Sequence, residues 1–364
     1  MSIENFSTKS RLADTGEGIT GDELQLAARN HGIPLEALRY DLTPPGLHYV
    51  LVHYDIPAAN ASTWQLDVTG CVEQPLSFGM TALRAMGRET VRVTLECAGN
   101  GRAGLNPRPI SQPWLVEAVG TAEWTGVPLA SLLRAAGLRK DAIDVVFTGA
   151  DHGFERGVEQ DYQRGLSVRE ALDSGALVAW EMNGHPLPPQ HGYPLRLVVP
   201  GWYGMASVKW LRSIEVIDHE FTGFQNAVAY RIRQEAHEVG VGVTRIEPRA
   251  LLIPPGSPDF MSRHRIVPAG PVVLSGRAWS GWAPIERVEV SVDAGVSWSE
   301  AILDARSNDL AWRAFEYDWD ATPGEHVLTV RATDESGRVQ PIEAPWNRGG
   351  FANNSAQRLT VLVV

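Results

Sequence analysis

Thr94-Leu95-Glu96-Cys97-Ala98-Gly99-Asn100-Gly101-Arg102 is the stretch around which the chain is organised. Upstream, Val91, Val93 and Leu95 alternate with polar residues at the two-residue period of a half-buried strand. Cys97 sits where that strand gives way to a glycine-containing loop. A thiol at a strand end is held rigidly and stays reachable. Small residues on both sides of Asn100 let the backbone approach a bulky ligand, and Arg102 adds a fixed positive charge beside it. That pattern suits a soft-metal ligand next to an anion site. Its competitor is a cysteine packed as a small hydrophobe, since free cysteine is among the most buried residue types.

Working outward, residues 1–45 read as a polar arm with a short helix over Gly21 to Asn30 and the breaker pair Pro44-Pro45. Strand-like runs follow at His48–His53 and Trp64–Val68, with a helix over Met80 to Met86. Downstream of Cys97, the proline-rich passage Asn106 to Pro113 ends at Trp114 and reads as an ordered loop over a site. Gly126–Leu129 leads into a short amphipathic helix ending at Gly137, and the strand Val145–Phe147 runs into Ala150–Gly153. Asn183-Gly184 signals a hairpin turn. The apolar run through Leu195 to Pro200 predicts a central strand with Arg196 near its start. Buried arginine calls for an anionic partner, either a structural carboxylate or a bound anion. Lys209 and Tyr230, taken singly, fit surface or core as readily as a site.

After about Gly240 the composition changes to short alternating runs, among them Arg277–Ser280, Val288–Val292, Trp312–Tyr317 and Val327–Arg331, separated by turns such as Asp293–Gly295 and Pro323-Gly324. Such spacing predicts an antiparallel immunoglobulin-like sandwich. The chain thus divides into the arm (1–45), a first domain (46–240) and the sandwich (241–364). With 364 residues and 44% hydrophobic content it can bury two substantial cores. The first thirty residues lack the apolar segment of a secretory signal and no run approaches a membrane span, so a cytoplasmic location is the expectation. Cys71 and Cys97 are too few for a disulfide framework or haem attachment, which places any haem or iron–sulfur centre on a partner. A net charge of -11 argues against nucleic acid as the main ligand. An anionic substrate then requires locally concentrated positive charge.

The Cys-Ala-Gly-Asn loop at Cys97, the stretch His191–Arg196 continuing to Val208-Lys209-Trp210, and the Trp346-Asn347 tail together resemble the sulfite oxidase family of molybdenum enzymes, from about Leu47 to Val364. The resemblance implies an α+β molybdopterin-binding domain followed by an immunoglobulin-like domain through which members commonly form homodimers. It implies one molybdenum and one molybdopterin per chain, with Cys97 as the metal ligand. Tyr49, Val50, Leu51, Val52, His53, Asp151, His191, Arg196, Ser207, Val208 and Lys209 match positions that hold the pterin and its phosphate. Arg102, Trp114 and Tyr230 match residues lining the substrate pocket. Thiolate suits a soft metal, and fixed cations suit a phosphate. Two positions depart from the family's sulfite enzymes: Leu51 and Gly349 stand where those carry arginine, with Arg348 one place earlier. His53, Arg348 or Arg108 could replace the missing contacts, or the substrate is another sulfur species, a larger or less charged oxyanion.

The expected function is oxidation of sulfite or a related sulfur oxyanion by oxygen-atom transfer, with electrons leaving to an external acceptor such as a cytochrome or other redox protein. Reduction of an oxyanion or sulfoxide on the same scaffold is the alternative. More remote readings are a hydrolase using Cys97 as nucleophile with His53, His152 or His191 as base, and a catalytically idle assembly module.

Overall fold

A computed structural model describes residues 10–306 and 308–364; residues 1–9 of the predicted arm lie outside them. The first domain is built on two sheets. One runs in the order Leu76–Gly79, Gln65–Gly70, Leu211–Ile217, Asp144–Glu155, Val158–Ser167. In the other, Glu89–Glu96 pairs with Val119–Pro128, which pairs with Leu177–Met182. Helices Met80–Ala85 and Leu129–Ala136 form where predicted, the second stopped by Gly137 at φ 71°. Leu129, Leu132 and Leu133 bury its apolar face in the main core. The hairpin turn also forms, with Asn183 and Gly184 both at positive φ.

Two predicted strands differ. His48–His53 is not a ladder strand; it pairs only through an isolated bridge between His31 and Val50, because its side chains face a cavity rather than a sheet neighbour. Arg196–Val198 is not a central strand either. It is three residues long and pairs with Leu177–Met182 alone, after which the chain turns away to line the same cavity.

The sandwich forms as expected. Its first sheet orders Arg249–Leu252, Gly270–Trp279, Arg313–Ala321 and Ile302–Leu303. The second centres on Gln357–Val363, Gly324–Asp334 and Ile285–Ser291. Leu274, Phe315, Leu328, Val330 and Val361 fill the space between them. The strand Glu89–Glu96 ends against this domain, so Thr94 and Glu96 are buried along with Val93 and Leu95, and the half-buried alternation is lost there. Thr94 Oγ1 accepts from the Trp312 N–H at 2.7 Å, and Glu96 reaches Arg249 and Trp279.

Helix Gly21–Arg29 of the arm starts at a capping box, Thr20 with Glu23. The fully buried Glu23 carboxylate also takes the Arg108 guanidinium through both oxygens, at 2.9 and 3.1 Å. Asn30 then accepts from the Val52 N–H and donates to Gln112. The arm therefore docks on the first domain and walls part of its cavity. Among the described residues, no helix is long and apolar enough to cross a membrane.

Candidate active site

The Cys97 loop leaves the strand as a tight turn: the Asn100 N–H donates to the Cys97 carbonyl at 3.0 Å, and the Arg102 N–H to Gly99 at 3.1 Å. Asn100 fixes the loop by donating to Glu96 and Val116 and accepting from the Ala118 N–H. Gly101 takes φ 91°, and its carbonyl accepts from Asn353 Nδ2 at 2.7 Å. The tail of the sandwich thus returns to this loop, and the Ala352 N–H donates to the Ala98 carbonyl. Cys97 is buried, at 6% exposure, where two cavities meet; Leu51, His53 and Tyr230 line both with it.

Tyr49, Val50, Leu51, Asp151, His191, Arg196, Ser207 and Lys209 line the inner cavity. Val52 faces the outer one, and Val208 lies in the core behind, its carbonyl taking the Leu197 N–H. Arg196 is 5% exposed and donates to the carbonyls of His191 and Ser207, with its guanidinium 4.6 Å from the centre of the Trp124 ring. Burial lowers its pKa to about 10, and among the described residues no carboxylate pairs with it. The structural-carboxylate reading is thereby set aside. Lys209 donates to the Leu51 and Gln190 carbonyls, and burial, then Arg196, push it below the ordinary lysine value. Asp151 is held up by burial, with Oδ1 unpartnered.

His48, Tyr162, Gln190, Gly204 and Met205 complete the wall and were not singled out in the sequence. His48 opens the run that supplies the other wall residues, the one local signal it gives. His48 Nε2 and His191 Nε2 are buried without partners. A buried thiol, unpaired cations and orphaned ring nitrogens around one space fit a polar, anionic, thiolate-bound cofactor such as the molybdopterin the resemblance implies.

Burial lowers the pKa of His48 to about 4 and of His191 to about 2, against 6.5 for an ordinary histidine. As pH falls below about 6.5 the unfolded chain takes up these protons first. Their contribution to stability is therefore complete above that pH and declines toward the folded values. Together they account for up to about 2.7 kcal/mol per pH unit. Urea midpoints should be clearly lower at pH 5 than at pH 7.5; equal midpoints would contradict the buried neutral rings.

The outer cavity, of about 790 Å³, opens from Cys97 past Arg102, Trp114, Tyr230 and Phe351. Arg102 donates to the carbonyls of Gly349 and Gln112 and lies 5.1 Å from the Phe351 ring centre. Its pKa is lowered by burial, against a raising influence from Cys97. The thiol itself is raised by burial, opposed first by Arg102. Tyr230 follows the turn Gln225–Ala229, and its hydroxyl lies 2.7 Å from His53 Nε2. Burial holds the Tyr230 hydroxyl protonated and lowers His53 to about 3.

Of the three candidates to replace the missing arginines, Arg108 does not: it is bound to Glu23 and does not line the cavity. Arg348 lines the outer cavity, and His53 lines both cavities with Cys97. Gly349 has a steric basis, because a Cβ there would come within 2.5 Å of the Phe351 ring. Nor do the histidines suit a cysteine hydrolase. None hydrogen-bonds the Cys97 thiol among the described residues, and His152 is exposed and bonded to Asp161 and Glu159.

The sequence matches the profile of the oxidoreductase molybdopterin binding domain over residues 53–225 and that of the Mo-co oxidoreductase dimerisation domain over 249–363. It is 30% identical to nitrate reductase [NADH] 1 of Arabidopsis thaliana, over 89% of this chain and 39% of that protein. It is 31% identical to the mitochondrial sulfite oxidase of Rattus norvegicus, over 89% of this chain and 62% of the relative. The chain therefore spans only part of the length of these relatives. The structure of the sulfane dehydrogenase SoxCD from Paracoccus pantotrophus superposes with a TM-score of 0.80 at 28% identity, over 97% of this chain and 87% of that one. With both domain profiles in their expected order and a thiol-centred cavity that fits the cofactor, the chain belongs to the sulfite oxidase family of molybdopterin oxidoreductases.

Proposed function

We propose that the protein is a molybdenum-cofactor enzyme that oxidises a sulfur-containing anion by oxygen-atom transfer and passes the electrons to an external acceptor, such as a cytochrome. The observation that carries this reading is the buried Cys97 thiol flanked by Arg102 and Tyr230 at the junction of the two cavities. When bound, the cofactor supplies the two-electron redox chemistry and the oxygen exchange with water. The chain's residues do the rest. Cys97 would hold the metal, and Arg196, Lys209 and His191 would hold the cofactor's phosphate through charge-assisted hydrogen bonds. Arg102, already anchored by two carbonyls, would orient the incoming anion, and the Tyr230 hydroxyl would donate to its oxygen. Trp114 and Phe351 exclude water around them. The sandwich is a dimerisation-type domain, and we propose that the protein forms a homodimer through it.

A second reading, reduction of an oxyanion, draws support from the plant nitrate reductases among the relatives and from Leu51 and Gly349 in place of the arginines of sulfite enzymes. Metal analysis together with dye assays in both directions separates the readings. Near-stoichiometric molybdenum with sulfite- or thiosulfate-dependent dye reduction is expected; substrate-dependent oxidation of reduced dye alone would reverse the direction. Folded protein without molybdenum from a cofactor-competent host would end both. Tyr230→Phe should lower kcat by on the order of 10²-fold with an unchanged unfolding midpoint, the usual effect of losing one donor at a developing oxyanion. A kcat within twofold of the parent would remove Tyr230 from the chemistry.

A further inference from the structure

The outer cavity carries more positive charge than an anion beside Cys97 would use. Five arginines stand on its wall in addition to Arg102: Arg11 is paired with Glu17 and Arg29 donates to the Tyr54 carbonyl, which leaves Arg156, Arg233 and Arg348, all half-buried. Among the described residues, none of the three has a carboxylate within ion-pair distance. The Arg233 guanidinium donates to the Val228 carbonyl at 2.9 Å, and Arg156 is held at φ 53°, a backbone conformation few non-glycine residues adopt. Neighbouring Arg231 differs, since its guanidinium is occupied by the carbonyls of Val239, Asn226 and Gly240. Acids on the same wall do not neutralise the cluster: Glu23 is bound to Arg108, Glu155 takes the Gln225 amide, and Asp22 is exposed on the arm helix.

These cations act on one another. Arg233 is lowered first by burial and then by Arg156, Arg348 and Arg231, and Arg156 also opposes the charge on Arg102. Holding like charges together on a partly dry wall is unfavourable unless an anion joins them. Around Arg102 the wall carries Leu51, Trp114 and Phe351 beside the neutral polar groups of Gln112 and Tyr230. Guanidinium is absent at positions 51 and 349, while Arg156, Arg233 and Arg348 supply it on the wall of the same cavity. A bare sulfite ion would fill only a small part of a space within the range of sites for organic ligands.

We propose that the Cys97 cavity takes an elongated organic dianion, with its sulfur-containing head at Arg102 and a second anionic group, carboxylate or sulfonate, held by Arg156, Arg233 and Arg348. This rests on the reading of the cavity as the substrate site. Isothermal titration calorimetry on the molybdenum-loaded full chain tests it, with methanesulfonate as the head-only probe and alkane-α,ω-disulfonates of increasing length as two-headed probes. The best disulfonate should bind at least tenfold more tightly than methanesulfonate, with an optimum at one chain length. Arg156→Gln and Arg233→Gln should each remove at least fivefold of that gain and leave methanesulfonate affinity within twofold. Equal affinity for all probes overturns the proposal. So does an equal loss for both probe types in the variants, which marks a diffuse steering field, or a raised KM for a protein electron acceptor with disulfonate binding untouched, which marks a docking surface. Unchanged unfolding midpoints confirm that the variants fold. Absence of molybdenum from protein that still discriminates the probes would count against the oxidoreductase reading and leave this one standing.

Discussion

Cys97→Ser is expected to abolish turnover, by more than 100-fold, in a protein that still folds. Outer-shell partners of metal ligands typically cost 10- to 100-fold when removed, so loss of the proposed ligand itself exceeds that range. The buried thiol is raised by desolvation, and Arg102 is the largest influence opposing that rise. Metal binding would complete what Arg102 begins, because a coordinating thiol is deprotonated outright. A serine hydroxyl is a hard, far weaker acid and cannot substitute. Its volume is close to that of cysteine, and the loop's anchors lie elsewhere, in Asn100, Gly101 and Asn353. Three readouts check the result: dye-linked activity, metal content and unfolding midpoint. Undiminished activity in the serine variant would rule Cys97 out as ligand.

Glu96→Ala should have the largest effect on stability. Glu96 Oε1 lies 2.9 Å from Arg249 Nε with both side chains 1% exposed, and it also accepts from Asn100 Nδ2 at 3.0 Å. Oε2 accepts from Trp279 Nε1 at 2.8 Å. Removing one member of a buried pair leaves the other charge uncompensated, which costs about 3–5 kcal/mol. Here the stranded group is Arg249, on the first strand of the sandwich, so the loss falls on the junction of the two domains. Urea unfolding should show a markedly lower midpoint, and pairing the change with Arg249→Met should recover part of the loss. A midpoint within 1 kcal/mol of the parent would show that the pair does not hold the domains together. The same variant should lose molybdenum more readily, because Asn100, which helps to fix the Cys97 loop, donates one of its hydrogen bonds to Glu96.

Much of the first domain could be read from local pattern. Period-two alternation marked Glu89–Glu96, helical periodicity ending at glycine marked Leu129–Ala136, and Asn183-Gly184 marked a hairpin, because each rests on neighbours in sequence. His48–His53 and Arg196–Val198 depart from their local pattern for one reason. Their apolar and β-branched residues look like full strands, yet His48–His53 faces a cavity and Arg196–Val198 pairs with one strand for three residues only, and neither surrounding leaves a trace in a local window. Glu96 was invisible as a structural residue, since its partners Arg249 and Trp279 lie more than 150 positions away.

By itself the sequence determined the order of the two domains and the strands of the sandwich, and it singled out Cys97 as the proposed ligand, because these depend on periodicity, turn residues and the nature of a thiol. Only the tertiary structure decided how that thiol is held and what surrounds it. It assigned Arg108 to Glu23 rather than to the cavity, left Arg196 without a carboxylate, and gathered Arg156, Arg233 and Arg348 onto one wall. The physical reason is that a charge's role depends on which opposite charge lies within a few ångströms of it, and that distance is fixed by folding rather than by position in the chain.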